Sequence, residues 1–379
     1  MNSAVLEIDR DVNRIAAALP RPSGPLGGPA NWKSADHQNS TTWQYRLSLQ
    51  ELGELEEALA AVNKAGLDII QVSRTDFPLK GFTKTLRDLR EEILNGRGFV
   101  LLRGLPVQSV SRRDAAILYW GIGLHLGYPV SQNGRGQLLG HVVNRGAAAA
   151  KPLPTESDKG TGPTSRGYDS NKGDSHFHVD AGDIVGLMCL HPAKSGGRSL
   201  IVSSTALHNE ILKRRPDLWE VLYQPFWRDR RDSEVPAGAR PYFPIPVFNF
   251  HNGRLFAPYS ASAIRNAGYG QLYPELPVLT TLQREAMALV EGLAENPEFH
   301  LSMGMEAGDC QLLNNHVILH SRTAYEDWPE DERRRHLLRL WLVVPEHHAL
   351  PHWHYDRYGA GRRGGIYVPG VKETVQWEP

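Results

Sequence analysis

Cysteine is nearly absent: 379 residues carry two, Cys189 and Cys310, both inside apolar runs. That rules out a disulfide framework and reads as two buried free thiols in a reducing cytoplasm. An excess of charge is missing too, since 42 lysines and arginines balance 42 aspartates and glutamates. Such a chain offers no global field to nucleic acid or to an anionic membrane surface. No apolar run reaches the roughly 18 to 20 residues that a membrane span needs. The first residues, with Glu7, Asp9, Arg10 and Asp11, lack the apolar core of a signal peptide. The expectation is a cytoplasmic protein. Its length suffices for a large core, read as one main domain over 46–345 between a flexible leader, 1–45, and a C-terminal extension, 346–379.

What is present has a clear order. Residues 21–42, rich in Pro, Gly and polar side chains, read as a loosely held leader. Ser48 with Glu51 makes a capping box, followed by Leu52, Leu55, Leu59 and Val62 on one helical face and Gly66 as a stop. Further helices are predicted over 83–94, after Ser111 with Asp114 as cap, over 205–213 and over 280–294. Phe99–Leu102 is too short and too uniformly apolar for a surface helix and predicts a central strand. Strand patterns recur at Ile184–Leu190, Gly197–Ser203, Cys310–Asn314 and Leu337–Val344, and His251-Asn252-Gly253 predicts a hairpin turn. The stretch 147–175 has almost no large apolar side chain; a mobile lid is the preferred reading and a plain disordered insertion the alternative. The pattern predicts a mainly β protein with peripheral helices, an antiparallel double-sheet jelly roll.

His178-Val179-Asp180 carries the chemistry. On an extended segment residues i and i+2 project to the same side, so the imidazole and the carboxylate can converge on one ion. With a histidine from a second strand they would fill one face of an octahedral metal and leave the other open, which points to non-haem Fe(II) and oxygen. His320 is the preferred third ligand and His316 the alternative. Two similar patterns are set aside: His352 and His354 as surface or packing residues in the tail, and His208, of His208-Asn209-Glu210, as a helix residue. Arg335, Leu337, Arg339 and Trp341 share one face of a late strand. A buried guanidinium needs a partner, and a bound carboxylate is the natural one. Arg333 and Arg334 are left to solvent. Asn314, Asn315 and Asp309 are candidates for orienting the imidazoles. Tyr168, Ser170 and Asn171, just before the metal segment, are candidates for substrate contact.

With Phe99–Gly104, the Ser195-Gly196-Gly197-Arg198-Ser199-Leu200 run, Asn314–Arg322 and Arg335–Arg339 in the same order, the chain resembles the taurine dioxygenase-like (taurine/2,4-dichlorophenoxyacetate dioxygenase) family of Fe(II)/2-oxoglutarate-dependent oxygenases. The similarity runs from about Phe99 to Val344. It implies a double-stranded β-helix, iron held by His178, Asp180 and His320, and 2-oxoglutarate and O2 as cosubstrates. Ser199 and Arg335 are implied to bind the distal carboxylate of 2-oxoglutarate, with Arg339 near its other end or near a substrate anion. The implied reaction oxidises an unactivated C–H bond of a small molecule, by default to the alcohol, and releases succinate and CO2. Halogenating members carry a small residue where Asp180 stands, so halogenation is not expected. Two rival readings, a non-catalytic metal or small-molecule-binding barrel and a zinc hydrolase, leave the arginine face unexplained.

Overall fold

The computed structural model describes residues 20–144, 175–230, 235, 239–358 and 362–379. Its framework is a pair of β-sheets. The larger runs through Gln44–Arg46, Phe99–Arg103, Cys310–Asn314, Ile184–His191 and His336–Val343, whose far side pairs with Tyr128–Pro129 and Leu139–Val143. All of these pairings are antiparallel except the first, between Gln44–Arg46 and Phe99–Arg103. That pair departs from the all-antiparallel expectation. The smaller sheet has Ser199–Ser203 at its centre, flanked by His300–Met303 and Ile318–Arg322.

Alternation along each strand decides which layer a side chain joins. Phe99 and Leu101 meet Val185, Ile201, Leu313, Ile318 and Trp341 in a core that draws on both sheets. Val100 and Leu102 join a second core with Met188, Leu312, Leu338 and Leu340, under the helices Leu49–Ala65, Phe82–Asn95 and Arg112–Leu126. Val202 and Leu319 of the smaller sheet belong to a third, with the helices Ser204–Arg214, Pro216–Leu222 and Thr281–Glu295. Burying each large apolar side chain contributes about 1.5–3 kcal/mol. Gly186 permits a close approach: a Cβ there would lie 2.5 Å from the Tyr119 hydroxyl on the overlying helix.

Helix ends follow local chemistry. Ser48 and Glu51 cap reciprocally, and Gly66 ends the helix at φ 64°. Ser111 Oγ accepts the Asp114 amide at 3.1 Å. The hairpin turn at Asn252-Gly253 has φ 48° and 76°.

Both extensions are more firmly packed than their composition predicts. Trp32 and Trp43 are buried, and their indole N–H groups donate to the Arg97 and His37 carbonyls at 2.9 and 3.0 Å. Residues 20–45 are therefore not loosely held; two aromatic anchors outweigh the Pro- and Gly-rich sequence between them. In the tail, Trp353 is buried and donates to Asn249 Oδ1 at 2.7 Å, while Val375 and Trp377 pack against the helical core. Except for Ser175, the stretch 147–175 lies outside the described residues. Among the described residues no helix is long and apolar enough to cross a membrane.

Candidate metal centre

The segment at 175–180 runs beside the outer strand of the smaller sheet. The His178 amide donates to His320 O at 3.0 Å and the His320 amide to His178 O at 2.9 Å. The two are a directly opposed, hydrogen-bonded pair, and their rings lie 4.4 Å apart between centroids. Asp180 turns to the same side: Oδ1 is 3.9 Å from His178 Nε2, and Oδ2 is 3.8 Å from His320 Nε2. One donor atom from each residue lies within 4.8 Å of the others, the only such His/Cys/Asp/Glu group among the described residues. These gaps exceed hydrogen-bond length. Two ligand bonds of about 2 Å each to a shared ion span them.

The charge states suit a metal. Burial pushes the Asp180 carboxyl up, but Arg339, His320, His178 and the Trp341 indole together hold it well below the usual carboxylate range. Burial, with His178 and Arg339, presses His320 down to about 3 against the pull of Asp180. An ionised carboxylate and a neutral imidazole are the forms that bind a metal ion. His178 Nδ1 lies 2.8 Å from His176 O, which fixes its proton there and leaves Nε2 facing Asp180 as an acceptor.

Around this trio stand the groups that orient it. Trp341 Nε1 donates to Asp180 Oδ2 at 2.8 Å, and Arg339 Nη1 lies 3.4 Å from the same oxygen. The Asp180 amide donates to Asn315 Oδ1 at 3.2 Å. Arg339 Nε donates to Gln132 Oε1 at 2.8 Å, while its buried Nη2 has no hydrogen-bond partner among the described residues. Arg335 is also buried, 5.1 Å from the Tyr325 ring centroid, and its amide donates to Asp327 Oδ1 at 2.8 Å. It passes beside Gly197, where a Cβ would sit 3.1 Å from Arg335 Nε. Arg322 lies 4.5 Å from the same Tyr325 ring and pairs in register with Ser199, whose Oγ donates to Gln311 Oε1 at 2.9 Å. Arg335 and Arg322 thus meet at the Tyr325 ring, with Ser199 in register beside Arg322.

A family model for taurine catabolism dioxygenases, the TauD, TfdA family, matches residues 63–341. The chain belongs to this family. FR-33289 synthase of Streptomyces rubellomurinus is 31% identical over 329 residues, 86% of this chain and 93% of that protein. A taurine hydroxylase-like protein of Stachybotrys chartarum is 29% identical over 348 residues, 89% of this chain and 84% of that one. Among solved structures, asparagine oxygenase with Fe(II), 2S,3S-3-hydroxyasparagine and succinate shares the fold at TM-score 0.58 and 15% identity, over 86% of this chain and all (100%) of that one. The protein is thus an Fe(II)- and 2-oxoglutarate-dependent oxygenase that uses O2 and acts on a small molecule. The readings as an inert binding barrel or a zinc hydrolase fall away.

Within this oxygenase His316, the alternative third ligand, is directed elsewhere: its Nε2 lies 2.6 Å from Asp183 Oδ1. Asp183 also accepts the Val344 amide at 2.7 Å and Arg363 Nε at 2.6 Å. Burial pushes its carboxyl up, yet His316 and Arg363 hold it down at about 2. Of the orienting candidates Asn315 reaches the metal segment, whereas Asn314 Nδ2 donates to Leu94 O and Asp309 pairs with Arg103. His354 is buried, His352 is exposed, and His208 accepts the Trp219 indole N–H on its helix. Arg333 is exposed and stacks on Trp328, and Arg334 pairs with Asp331. Tyr168, Ser170 and Asn171 lie outside the described residues. Gln132, Gln311 and Asp183 were not foreseen, since each is a single polar residue with no repeating pattern around it.

Proposed function

We propose that His178, Asp180 and His320 are the iron ligands of this oxygenase. Ser199 and Arg335 would receive the distal carboxylate of 2-oxoglutarate. Arg339 would hold Asp180 ionised and offer its remaining N–H to the cosubstrate's other end or to a substrate anion. The convergence of one carboxylate and two imidazoles within 4.8 Å, beside the buried Arg339, carries the reading. We further infer that the two sheets are the halves of a double-stranded β-helix, a jelly roll, with the site between them. Iron, when bound, supplies the redox chemistry that couples decarboxylation of 2-oxoglutarate to oxidation of a substrate C–H bond.

The protein's own part is placement. Trp341 and Asn315 fix the carboxylate, His176 fixes the tautomer of His178, and the apolar core between the sheets limits access of water. The substrate proposed is a small polar or amphipathic molecule, amino-acid-like or carboxylated. Taurine and hydroxyasparagine, named with the relative and the solved structure above, are of that kind. Hydroxylation is the expected outcome, and the two buried free thiols suit a cytoplasmic setting.

Anaerobic addition of Fe(II) and 2-oxoglutarate should give a weak visible charge-transfer band. His178→Ala should abolish the band, and Arg335→Ala should raise the 2-oxoglutarate dissociation constant at least tenfold, by loss of a charge-assisted pair worth about 1.5–3 kcal/mol. A His178→Ala protein that keeps the band would refute the ligand set.

A further inference from the structure

A cavity of about 360 Å³ lies outside the residues of the metal centre. None of His178, Asp180, His320, Ser199, Arg335 or Arg339 lines it. Its walls are the turn at 314–317, the hairpin at 252–256, the leader at 26–30 and the pair His347–His348. These walls are held in place. The Leu26 amide and carbonyl both bond the Asn209 side chain at 2.8 Å, Ser203 Oγ donates to Ala30 O, and His348 Nε2 lies 2.9 Å from Asn95 Oδ1.

The ionisable side chains of the described lining are one arginine and three histidines. Arg254, His316, His347 and His348 reach the cavity, and among the described residues no Asp or Glu does. The Arg254 guanidinium has no hydrogen-bond or ion-pair partner among the described residues, although burial is enough to lower its pKa. Burial is the first cause of the lowered pKa of two of these histidines. Burial, then His316 and His348, with Arg363 adding and Asp183 opposing, press His347 down to about 3. Burial, Arg254 and Arg363 likewise lower His348. Leu26, Leu94, Leu255, Phe256 and Val317 make the rest of the surface apolar.

We propose that this cavity binds a small organic anion, its carboxylate or phosphate head on Arg254 and its apolar body against Leu255, Phe256 and Val317. A preformed cleft of this size fits a metabolite-sized molecule, and apolar walls with a few convergent polar groups are the usual make-up of such sites. The guanidinium, unengaged among the described residues, can form a charge-assisted pair with the head of such an anion. The occupant is a different molecule from 2-oxoglutarate, whose proposed anchor, Arg335, lies outside this cavity.

Calorimetric titration of phenyl phosphate and, separately, benzoate into the full chain tests the site. The protein is kept anaerobic with Fe(II) and saturating 2-oxoglutarate, so that the cosubstrate anchor is filled. At least one probe should bind saturably, and the tighter of the two tells a phosphate head from a carboxylate head. Arg254→Gln should weaken that binding about tenfold or more. His348→Gln, which retains a partner for Asn95, should weaken it severalfold, and Arg335→Gln should leave it unchanged. Thermal unfolding like that of the parent separates lost binding from lost fold. No saturable binding of either probe, binding indifferent to both cavity variants, or binding lost in Arg335→Gln would each overturn the proposal.

Discussion

Asp180 Oδ2 accepts the Trp341 indole N–H and lies beside Arg339, so the carboxylate's orientation is set by neighbours on another strand. Trp341→Phe keeps an aromatic ring in the inter-sheet core and removes that one donor. Iron affinity, read by titration of Fe(II) into the 2-oxoglutarate-loaded protein, should fall about 10–100-fold. Unaltered affinity would make Trp341 a packing residue only. A second residue-scale prediction concerns acid. Burial lowers the His208 pKa from 6.5 to about 4. Between those values the unfolded chain takes up a proton that the native protein refuses, so stability falls as pH drops through that window. The loss should be about 2 kcal/mol between pH 7 and 5, measured by urea unfolding, and should shrink in His208→Gln. As for what the sequence discloses here, i and i+2 on an extended segment put His178 and Asp180 on one side, and the strand patterns around them, absent from the tail, set this pair apart. His320 against His316 is not decidable that way. The His178–His320 backbone pair and the Asp183 contact of His316 separate them, and both depend on residues more than a hundred positions away.

The turn at Gly196-Gly197 leads into the Ser199–Ser203 strand with φ values of 70° and 64°. A side chain at 197 meets both a disfavoured backbone region, at about 1–2 kcal/mol, and the Arg335 guanidinium. Gly197→Ala should therefore lower the melting temperature and raise KM for 2-oxoglutarate while leaving iron affinity near that of the parent. A shift in melting temperature with KM unchanged would show that Arg335 is not disturbed. Helices were legible where caps announce them, as at Ser48 and Ser111, and central strands where apolar runs do, as at Phe99, Ile184 and Cys310. Edge strands were not. Gln44–Arg46, Tyr128–Pro129 and Leu139–Val143 have their form from the partner they pair with rather than from their own pattern. The Ile318–Arg322 strand ends in His-Ser-Arg, polar residues that conceal a strand because they break the apolar run.

Across the molecule, the tail closes the structure. Arg363 completes the Asp183 pairing, Trp353 is buried, and Val375 and Trp377 cover the helical core. A chain ending after Val344 should lack a single cooperative thermal transition, since the lost contacts rival a total stability of about 5–15 kcal/mol. Near-UV circular dichroism and a thermal melt check this; an unchanged melt would make the tail dispensable. Composition hid this role, because a few aromatic and arginine anchors carry it within a run of Gly and Pro. The sheet order has a consequence for synthesis. Ile184–His191 lies between strands at 310–314 and 336–343, so both of its hydrogen-bonding neighbours leave the ribosome much later. At translation speeds of about 5–20 residues per second, this apolar ribbon waits on the order of ten seconds with both edges bare. Both edges of this strand stay open to other chains through that interval, and the His178, Asp180 and His320 cluster can assemble only after His320 has emerged.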